Sequence, residues 1–490
     1  MILLGIDIGS SSIKASLLDV KTGACVGSAQ SPDTEMTISA PKPGWAEQDP
    51  ETWWEHALKA TNLAVSKAGI KPKTISAIGI SYQMHGLVCV DKAGNVIRPS
   101  IIWCDSRAVE IGQKAFEEIG SQKCLSHLLN SPGNFTASKL KWLKENEPEL
   151  YKKIYKIMLP GDYIAYRFTG KMNTTASGLS EGILWDFKDN KAADFLLEYY
   201  GFNSDLLADI VPTFGMQGTV NENSAKIFNL TAGIPVAYRA GDQPNNALSL
   251  NVLEPGEIAA TAGTSGVVYG VSNSIQFDPL SRVNTFTHVN STAKSMRNGV
   301  LLCINGTGIL NSWMRKYVTS QMSYNQMNEA AMATQPGSEG LIILPFGNGA
   351  ERMLGNRELG CQIRGLNFNT HHHGHLVRAA HEGLAFAFYY GMEIMRGIGI
   401  NLSVIRAGKA NMFLSPIFRN ALSALANVNI ELYNTDGALG AAIGAGIGSS
   451  IFVDSKEAFN NLKVVEKITP NAGLSKVYQD IYKQWLACLA

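Results

Sequence analysis

A strand, a hydroxyl-rich turn and a returning strand at the start of the chain constrain its fold more than any other feature. Residues 2–8 form an apolar run, residues 9–12 read Gly-Ser-Ser-Ser, and a second apolar alternation covers residues 13–19. N–H groups and hydroxyls in such a turn can bind an anion, and a carboxylate at the strand end can face a divalent cation. Taken alone, however, the segment is more typical of an ordinary hairpin. The residues concerned are Asp7, Gly9, Ser10, Ser11, Ser12 and Lys14.

A second copy of this pattern occurs about half a chain later. Residues 257–271 contain a small apolar strand, the turn Gly263-Thr264-Ser265-Gly266 and a returning apolar strand. Such a repeat indicates a protein of two similar halves. Two such turns that face each other across a cleft would hold a polyphosphate from both sides. The repeat therefore favours phosphate binding over two unrelated hairpins.

Length and composition fit a two-domain globular protein. With 490 residues the chain is too long for one core, and we predict domains at residues 1–246 and 247–490. Its 42 basic and 41 acidic residues produce no field that would attract nucleic acid or an anionic membrane. No apolar run reaches the roughly 18 residues of a membrane span. Seven scattered cysteines without a Cys-x-x-Cys pair, and a start without a signal-peptide layout, predict a cytoplasmic location.

Strands alternate with helices along the chain, which predicts an α/β architecture. The first helix is expected to start after the N-cap Asp49, with Pro50 in its first position, and to stop at Gly69. Residues 436–451 are rich in glycine and alanine but too short for a membrane span. We expect a helix there that presses closely against a backbone or a ligand.

Asp242 stands at the junction of a predicted strand and a predicted helix. The strand of residues 234–241 ends in Ala-Gly, and Pro244 follows as an early helical residue. This position fits a helix N-cap. It also fits a general base at the carboxyl end of a strand, where α/β sheets gather their ligands. The two roles do not exclude each other.

A group of polar and aromatic residues predicts a pocket for a polyhydroxylated small molecule. Met84 and His85 lie between two predicted strands, and Trp103, Asp105 and Arg107 alternate outward from the end of an apolar strand. Aromatic faces and directional hydrogen bonds are what such a ligand requires. Each residue by itself is more typical of core packing or a surface ion pair, so the pocket depends on the two-half architecture.

Two later segments have simpler alternatives. The loop from Gly408 to Asn411 precedes a helix and could lie against a purine, although a plain loop explains it equally well. Four histidines within residues 371–375 are expected to open a helix whose N-cap is Thr370. Since no acidic or cysteine partner stands at ligand spacing, a zinc site is not favoured.

Seven motifs in a fixed order along the chain point to a known family. They are residues 7–14, 44–50, 84–86, 103–107, 162–164, 263–266 and 382–387. This series resembles the FGGY carbohydrate kinases over nearly the whole chain, and within that family it is most similar to the xylulokinases. The resemblance implies an actin-like ATPase fold of two ribonuclease-H-like domains, with sugar bound mainly by the first, nucleotide mainly by the second, and a cleft between them. It also implies ATP and Mg²⁺ as cofactors and transfer of the γ-phosphate to a small sugar, with D-xylulose 5-phosphate as the expected product.

The resemblance also assigns roles to individual residues. Asp242 matches the catalytic base and Asp7 the carboxylate near magnesium, so the expected metal ligands are Asp7 and Asp242. The expected substrate-binding residues are Met84, His85, Trp103, Asp105, Arg107 and Gln243. The expected phosphate- and nucleotide-binding residues are Gly9, Ser10, Ser11, Ser12, Lys14, Gly263, Thr264, Ser265, Gly308, Gly408 and Asn411.

A few positions depart from the family pattern. Ser10 replaces the usual threonine, and Arg239-Ala240 stands where a glycine run is common. Gln243 follows the catalytic base in place of asparagine, and only Gly408 remains of the glycines that open the adenine loop. These departures bear on the nucleotide contacts and on which sugar is accepted.

Other functions stay open at this point. The chain could phosphorylate another pentulose, a hexose or a polyol, because one misplaced hydrogen bond decides which hydroxyl epimer is preferred. An actin-like nucleotide switch would share both turns but would not need Met84 and His85. A sugar-binding regulator without turnover would not need the intact Asp7 and Asp242. As partners we expect the sugar and Mg-ATP, with neither nucleic acid nor membrane, and a homodimer is common among relatives.

Overall fold

Two large mixed sheets form the framework of the protein. A computed structural model describes residues 1–489. The strands, numbered in chain order, are β1 (Ile2–Ile8), β2 (Ile13–Asp19), β3 (Cys25–Ser31), β4 (Glu47–Gln48), β5 (Ile75–Tyr82), β6 (Val88–Val90), β7 (Ser100–Ile101), β8 (Lys156–Met158), β9 (Asn173–Thr175), β10 (Trp185–Asp186), β11 (Lys191–Ala192), β12 (Asp209–Val211), β13 (Phe214–Thr219), β14 (Pro235–Gly241), β15 (Glu257–Ala262), β16 (Gly266–Ser272), β17 (Asn284–Thr287), β18 (Asn298–Ile304), β19 (Ile342–Phe346), β20 (Gly360–Arg364), β21 (Val404–Gly408), β22 (Asn429–Tyr433) and β23 (Glu466–Ile468). The first sheet has the order β13-β14-β5-β1-β2-β3, and the second has the order β17-β18-β16-β15-β21-β22-β23.

Helices connect the strands in both halves. In chain order they are α1 (Pro50–Ala68), α2 (Val109–Ile119), α3 (Ser121–Leu128), α4 (Thr136–Asn146), α5 (Pro148–Tyr151), α6 (Pro160–Thr169), α7 (Ala176–Glu181), α8 (Asp194–Tyr200), α9 (Glu222–Phe228), α10 (Asp242–Ser249), α11 (Gly308–Tyr317), α12 (Tyr324–Met332), α13 (His373–Gly397), α14 (Pro416–Ala426), α15 (Gly437–Gly448), α16 (Ser455–Ala458) and α17 (Ala472–Ala487). None of the helices within residues 1–489 is both long and apolar enough to cross a bilayer.

The two sheets share one topology. In the first, β1 and β2 form an antiparallel hairpin and β1 runs parallel to β5, which runs parallel to β14. In the second, β15 and β16 form an antiparallel hairpin and β15 runs parallel to β21, which runs parallel to β22. The two repeated patterns of the sequence are these hairpins, so both predicted strand–turn–strand units are confirmed. Each turn lies at the edge of its sheet where the parallel strands end.

The first helix, α1, forms as its sequence predicts. The side chain of Asp49 accepts a hydrogen bond from the backbone N–H of Glu51, and Pro50 occupies the first helical position. Gly69 ends the helix with a φ of 64°, which a glycine adopts without strain. The buried Trp53 and Trp54 attach α1 to the first sheet.

The glycine-rich helix α15 comes from the second half of the chain but packs on the first sheet. A Cβ at Gly5 of β1 would overlap the carbonyl of Ala438, and one at Gly79 of β5 would overlap that of Ala441. The expected close approach is therefore to a backbone, and the helix spans Gly437–Gly448. Because this contact joins distant parts of the sequence, the division at residues 246 and 247 stays a prediction.

One local expectation is wrong. The N-cap of α13 is His372 and not Thr370, because the His372 ring accepts a hydrogen bond from the N–H of Gly374.

Strands β10 and β11 form a short antiparallel hairpin in the charged part of the chain before α8. Asp186 stabilises that hairpin, since it accepts from two backbone N–H groups and contacts His127 Nδ1 at 2.8 Å.

Candidate active site

Asp242 lies where β14 ends, and β14 is the strand of the first sheet that runs parallel to β5. Gly241 is the N-cap of α10, so Asp242 is the first residue inside the helix and the expectation that it caps the helix is wrong. Residue 241 must be a glycine because a Cβ there would overlap Met84 and Glu181. Burial, together with the negative charge of Asp7, raises the pKa of Asp242 to about 7. A carboxylate with such a pKa suits a general base near neutral pH.

Asp7 lies next to Asp242, at the end of β1. Its carboxylate contacts Gly437 at the N-terminus of α15, and burial raises its pKa, opposed by a hydrogen bond from Ser81. Neither Asp7 nor Asp242 forms an ion pair within residues 1–489. Two adjacent carboxylates without a cationic partner are the oxygen ligands that Mg²⁺ prefers. The donor set therefore fits the expected metal.

The turn between β1 and β2 is fixed by contacts to Ser10. The Ser10 carbonyl accepts from Gln48 Nε2 at 2.7 Å, and its hydroxyl accepts from Trp103 Nε1 at 3.2 Å. The hydroxyls of Ser11 and Ser12 form no hydrogen bond within the described chain. Lys14 is exposed and stands opposite Asp7 in the hairpin. This arrangement leaves two hydroxyls and a cation available to a phosphate.

Met84 contacts Gly241, the residue before Asp242, and His85 follows Met84 in the chain. His85 has a φ of 62° and its Nδ1 lies 2.9 Å from the carbonyl oxygen of Glu181. Burial lowers the pKa of His85 to about 3, so the ring is neutral. Because a carbonyl only accepts, Nδ1 carries the proton, and Nε2 is left as an acceptor for a ligand hydroxyl.

Asp105 and Arg107 are bound to each other and to other protein groups, so their expected contact with the sugar stays a prediction. Asp105 is fully buried and accepts from the Ala46 N–H at 2.6 Å and from Arg107 Nη2 at 2.7 Å. The Arg107 guanidinium lies 3.8 Å from the Trp45 ring centroid and 4.7 Å from that of Trp142. The outward alternation fails because β7 ends at residue 101 and the chain then turns inward.

Trp103, from the same motif, behaves differently. It is 53% exposed and reaches the phosphate-binding turn through its hydrogen bond to Ser10. Gln243 is half-buried and follows Asp242 in the chain, and its backbone and side-chain donors oppose the rise in the pKa of Asp242. Both residues therefore remain candidates for substrate contact.

A cavity of about 480 Å³ opens beside the second turn. Of the expected nucleotide-binding residues, it brings together Gly263, Thr264, Gly308 and Asn411. The N–H groups of Gly308 and Ile309 donate to the carbonyls of Gly263 and Thr264, at 2.8 and 3.2 Å, which ties α11 to the turn. Ser265 and Gly408 are not among its lining residues.

The cavity also contains polar residues that the sequence analysis missed. They are Asn311, Ser312, Tyr324, Asn325, Asn328 and Ser415. Asn325 and Asn328 stand three positions apart on α12, so they share a helix face, and this polar spacing is the signal that could have revealed them. The sequence analysis also missed three residues that lie around His85 and Asp242. They are Glu181 of α7, Cys303 of β18 and Arg352 in the turn after β19, and no local pattern shows that these distant segments meet.

Asp242 is bordered by both halves of the chain. The charge of Asp7 raises the pKa of Asp242, and the charge of Asp242 in turn acts on Glu181 in the first half and on Cys303 of β18 in the second. Cys303 pairs with Val267 of β16, next to the second turn. We call the space between these residues the cleft.

Family models for the N-terminal and C-terminal domains of FGGY carbohydrate kinases match residues 2–249 and 258–449. The chain belongs to the FGGY family of carbohydrate kinases. The ordered motifs therefore identified the family correctly.

Relatives of this FGGY kinase extend the match to nearly its full length. It is 28% identical to a xylulose kinase of Escherichia coli strain K12, over 99% of this chain and 100% of that protein. The crystal structure of a xylulose kinase from Rhodospirillum rubrum superimposes with a TM-score of 0.89 at 25% identity, covering 100% of this chain and 98% of that one. A glycerol kinase from Plasmodium falciparum reaches a TM-score of 0.87 at 20% identity over 100% of this chain and 98% of that one, which shows the fold alone.

These comparisons confirm the predicted α/β actin-like ATPase fold. This FGGY kinase is a phosphotransferase that acts on a sugar hydroxyl, and kinases of its family use ATP as the phosphate donor.

Proposed function

We propose that the protein phosphorylates D-xylulose to D-xylulose 5-phosphate with Mg-ATP as the donor. The observation that carries this proposal is the contact of Met84 with Gly241, the residue before Asp242, together with the neutral ring of His85 next to Met84 in the chain. An acceptor held by His85 Nε2 has a hydroxyl within reach of a carboxylate base. The xylulose kinases among the relatives support the choice of sugar.

Asp242 accepts the proton of the sugar hydroxyl as its oxygen attacks the γ-phosphorus. The bond from that phosphorus to the bridging oxygen of ADP breaks, and ADP leaves with its electron pair. The turns at residues 9–12 and 263–265 provide N–H groups and hydroxyls for the charged phosphate oxygens. Asp7, with Asp242 beside it, would hold Mg²⁺, which neutralises part of the phosphate charge when bound.

Water competes with the sugar for the γ-phosphate in an open cleft. The two turns belong to different sheets, so movement of one sheet toward the other would bring both to the same triphosphate and exclude water. Sugar binding is expected to favour that closure. ATP hydrolysis without sugar should therefore be slower than transfer to the sugar.

The test is an ADP-release assay with Mg-ATP and a panel of acceptors: D-xylulose, its enantiomer L-xylulose, its C3 epimer D-ribulose, polyols and aldonates. We expect the highest kcat/KM for D-xylulose and a very low rate without acceptor. A higher value for another acceptor would replace D-xylulose but leave the kinase assignment intact. The absence of stimulation by every acceptor would contradict sugar phosphorylation itself.

Three further predictions remain outside this assay. They are the domain division, the cytoplasmic location and the homodimer. Size-exclusion chromatography with light scattering measures the last directly.

A further inference from the structure

Arg352 is a half-buried cation without an anionic partner. It begins the short turn Arg352–Leu354 that follows β19. Within residues 1–489 its guanidinium forms one long hydrogen bond, from Nη1 to the Ser281 carbonyl at 3.4 Å. Burial lowers the pKa of Arg352, and no carboxylate opposes that shift. By contrast, the buried Arg107 and Arg239 are paired with Asp105 and Asp162 at 2.7 Å each.

The charge of Arg352 acts on residues of the cleft. It lowers the pKa of His85, and it opposes the desolvation that raises the pKa of the Cys303 thiol to about 11. The negative charge of Asp242 acts on the same thiol. Geometry agrees with this placement, because the Asn305 N–H donates to Glu351 Oε1 at 2.9 Å and so holds the turn of Arg352 beside the end of β18, two residues after Cys303.

The neighbouring Glu351 does not neutralise Arg352. Its side chain is fully buried and its Oε1 accepts from the N–H of Asn305 at 2.9 Å. Burial raises the pKa of Glu351 to about 7, and its carboxylate forms no ion pair with Arg352 within residues 1–489. Glu351 instead fixes the loop after β18 to the turn that holds Arg352. The guanidinium is thus held in place while its donors stay free.

We infer that Arg352 binds an oxyanion in the acceptor half of the cleft, a role that rests on the proposed function. A planar guanidinium binds phosphate or carboxylate oxygens through two parallel N–H donors. Two sources can supply this group: the γ-phosphoryl group during transfer, or the carboxylate of an acidic sugar. In the first case Arg352 binds the peripheral oxygens while the hydroxyl oxygen bonds to phosphorus, the bond to ADP breaks and the proton passes to Asp242.

Kinetics of Arg352→Gln and Arg352→Lys distinguish the two sources, with Arg364→Gln on the exposed strand β20 as the matched control. If the phosphoryl group is the ligand, kcat with D-xylulose falls about 10²–10³-fold in Arg352→Gln while the KM for D-xylulose changes little. If a sugar carboxylate is the ligand, the KM for aldonates rises and turnover of neutral sugars is unchanged. Unchanged kinetics with every acceptor would overturn the inference. Thermal unfolding of each variant checks that it is folded.

A second experiment tests the oxyanion site without turnover. Cys303 is solvent-accessible, so its alkylation by anionic iodoacetate and by neutral iodoacetamide can be followed by mass spectrometry. A nearby cation attracts the anionic reagent, and we expect the ratio of the two rates to fall about threefold in Arg352→Gln. Any change in the thiol pKa affects both reagents alike. The same ratio at the exposed Cys361 serves as the internal control.

The two experiments separate this inference from the proposed function. A fall in the ratio at Cys303 alone supports the oxyanion site even if no sugar stimulates ADP release. An identical ratio in wild type and Arg352→Gln overturns the inference, whatever the acceptor panel shows.

Discussion

Two groups of charged residues near the cleft differ in how their charges are neutralised. In the paired group, Arg107 Nη2 lies 2.7 Å from both Glu47 Oε1 and Asp105 Oδ2, and Arg98 adds a second cation to Glu47 at 2.5 Å. Every member of this group is buried or nearly so. In the unpaired group, Asp7, Asp242 and Arg352 form no ion pair within residues 1–489.

The difference separates charges that hold the fold from charges that are free for a ligand. Asp7 and Asp105 both belong to family motifs, yet Asp105 uses both oxygens inside the protein while Asp7 forms no ion pair within residues 1–489 and has a pKa that burial raises. A buried charge is stable when it is paired, whereas unpaired charges cost stability and are retained where chemistry needs them. Motif membership alone does not make this distinction.

The sharpest test replaces the unpaired Asp242 by asparagine. Loss of the base should lower kcat about 10²–10⁴-fold. The free energy of unfolding should stay equal or rise, because the change removes a desolvated charge that lies next to Asp7. ADP release and urea unfolding measure the two effects. Near-wild-type turnover would show that Asp242 is not the base. A loss of several kcal/mol of unfolding free energy, as expected for a broken buried pair, would place Asp242 in the paired group.

The matching change in the paired group is Asp105→Ala. It removes the buried carboxylate that pairs with Arg107 and accepts from the Ala46 N–H, so Arg107 keeps only Glu47 as an ionic partner. Breaking such a buried pair costs up to about 3–5 kcal/mol of unfolding free energy. Glu149→Ala is the control, since Glu149 pairs with Lys152 at the surface, with side chains 79% and 68% exposed. That control should change stability by less than about 1 kcal/mol. If the variant loses little stability but has a raised acceptor KM, the result would instead indicate that Asp105 contacts the sugar.

Lys139 belongs to neither group, because it is a buried cation whose hydrogen-bond acceptors are backbone carbonyls and not carboxylates. It is fully buried, and its Nζ donates to the backbone carbonyls of His85 and Ile102 at 2.9 Å each. Burial lowers the pKa of Lys139 to about 7, below the 10.5 of an exposed lysine. Between these values the unfolded chain binds the extra proton, so this residue makes stability rise with pH above 7, by up to about 1.4 kcal/mol per pH unit.

The measurement is urea unfolding of wild type and Lys139→Met at pH 7, 8 and 9. The stability of wild type relative to the variant should increase over this range, because only wild type gains from deprotonation of the buried amine. Parallel profiles for the two proteins would show that Lys139 stays protonated over this pH range, because the negative charge of Asp105 offsets the effect of burial.

The features that could be predicted from sequence are those with a local physical cause. Alternating apolar residues around a Gly-Ser-Ser-Ser turn predict a hairpin, and Asp49, Pro50 and Gly69 are sufficient to bound α1. The abundance of glycine in α15 likewise predicts a close backbone contact, which the overlap at Gly5 and Gly79 explains. In each case the relevant contacts lie within a few residues or depend only on side-chain size.

The features that could not be predicted depend on where the chain turns and on what it meets. The alternation through Asp105 and Arg107 assumed a strand that in fact ends at residue 101. Arg239, which departs from the family's glycine run, is fully buried because Asp162 of α6 neutralises it. Arg352 lies near Cys303 only because its turn follows β19 and is attached through Glu351 to the loop after β18. No local pattern carries this information.

The smallest effect is expected for Trp103, the exposed member of the motif that also contains the paired Asp105 and Arg107. Trp103→Phe removes the hydrogen bond to Ser10 but keeps an aromatic face, so the unfolding free energy should change by less than about 0.5 kcal/mol. If Trp103 contacts the sugar or positions the phosphate turn, the acceptor KM should rise by about two- to tenfold, the equivalent of one hydrogen bond. Trp142→Phe is the matched control, because that ring packs against Arg107 inside the protein and should lower stability instead. If Trp103→Phe lost stability without a change in KM, Trp103 would have a structural role like that of Asp105 and Arg107. The exposure of a motif residue would then not indicate that it contacts the ligand.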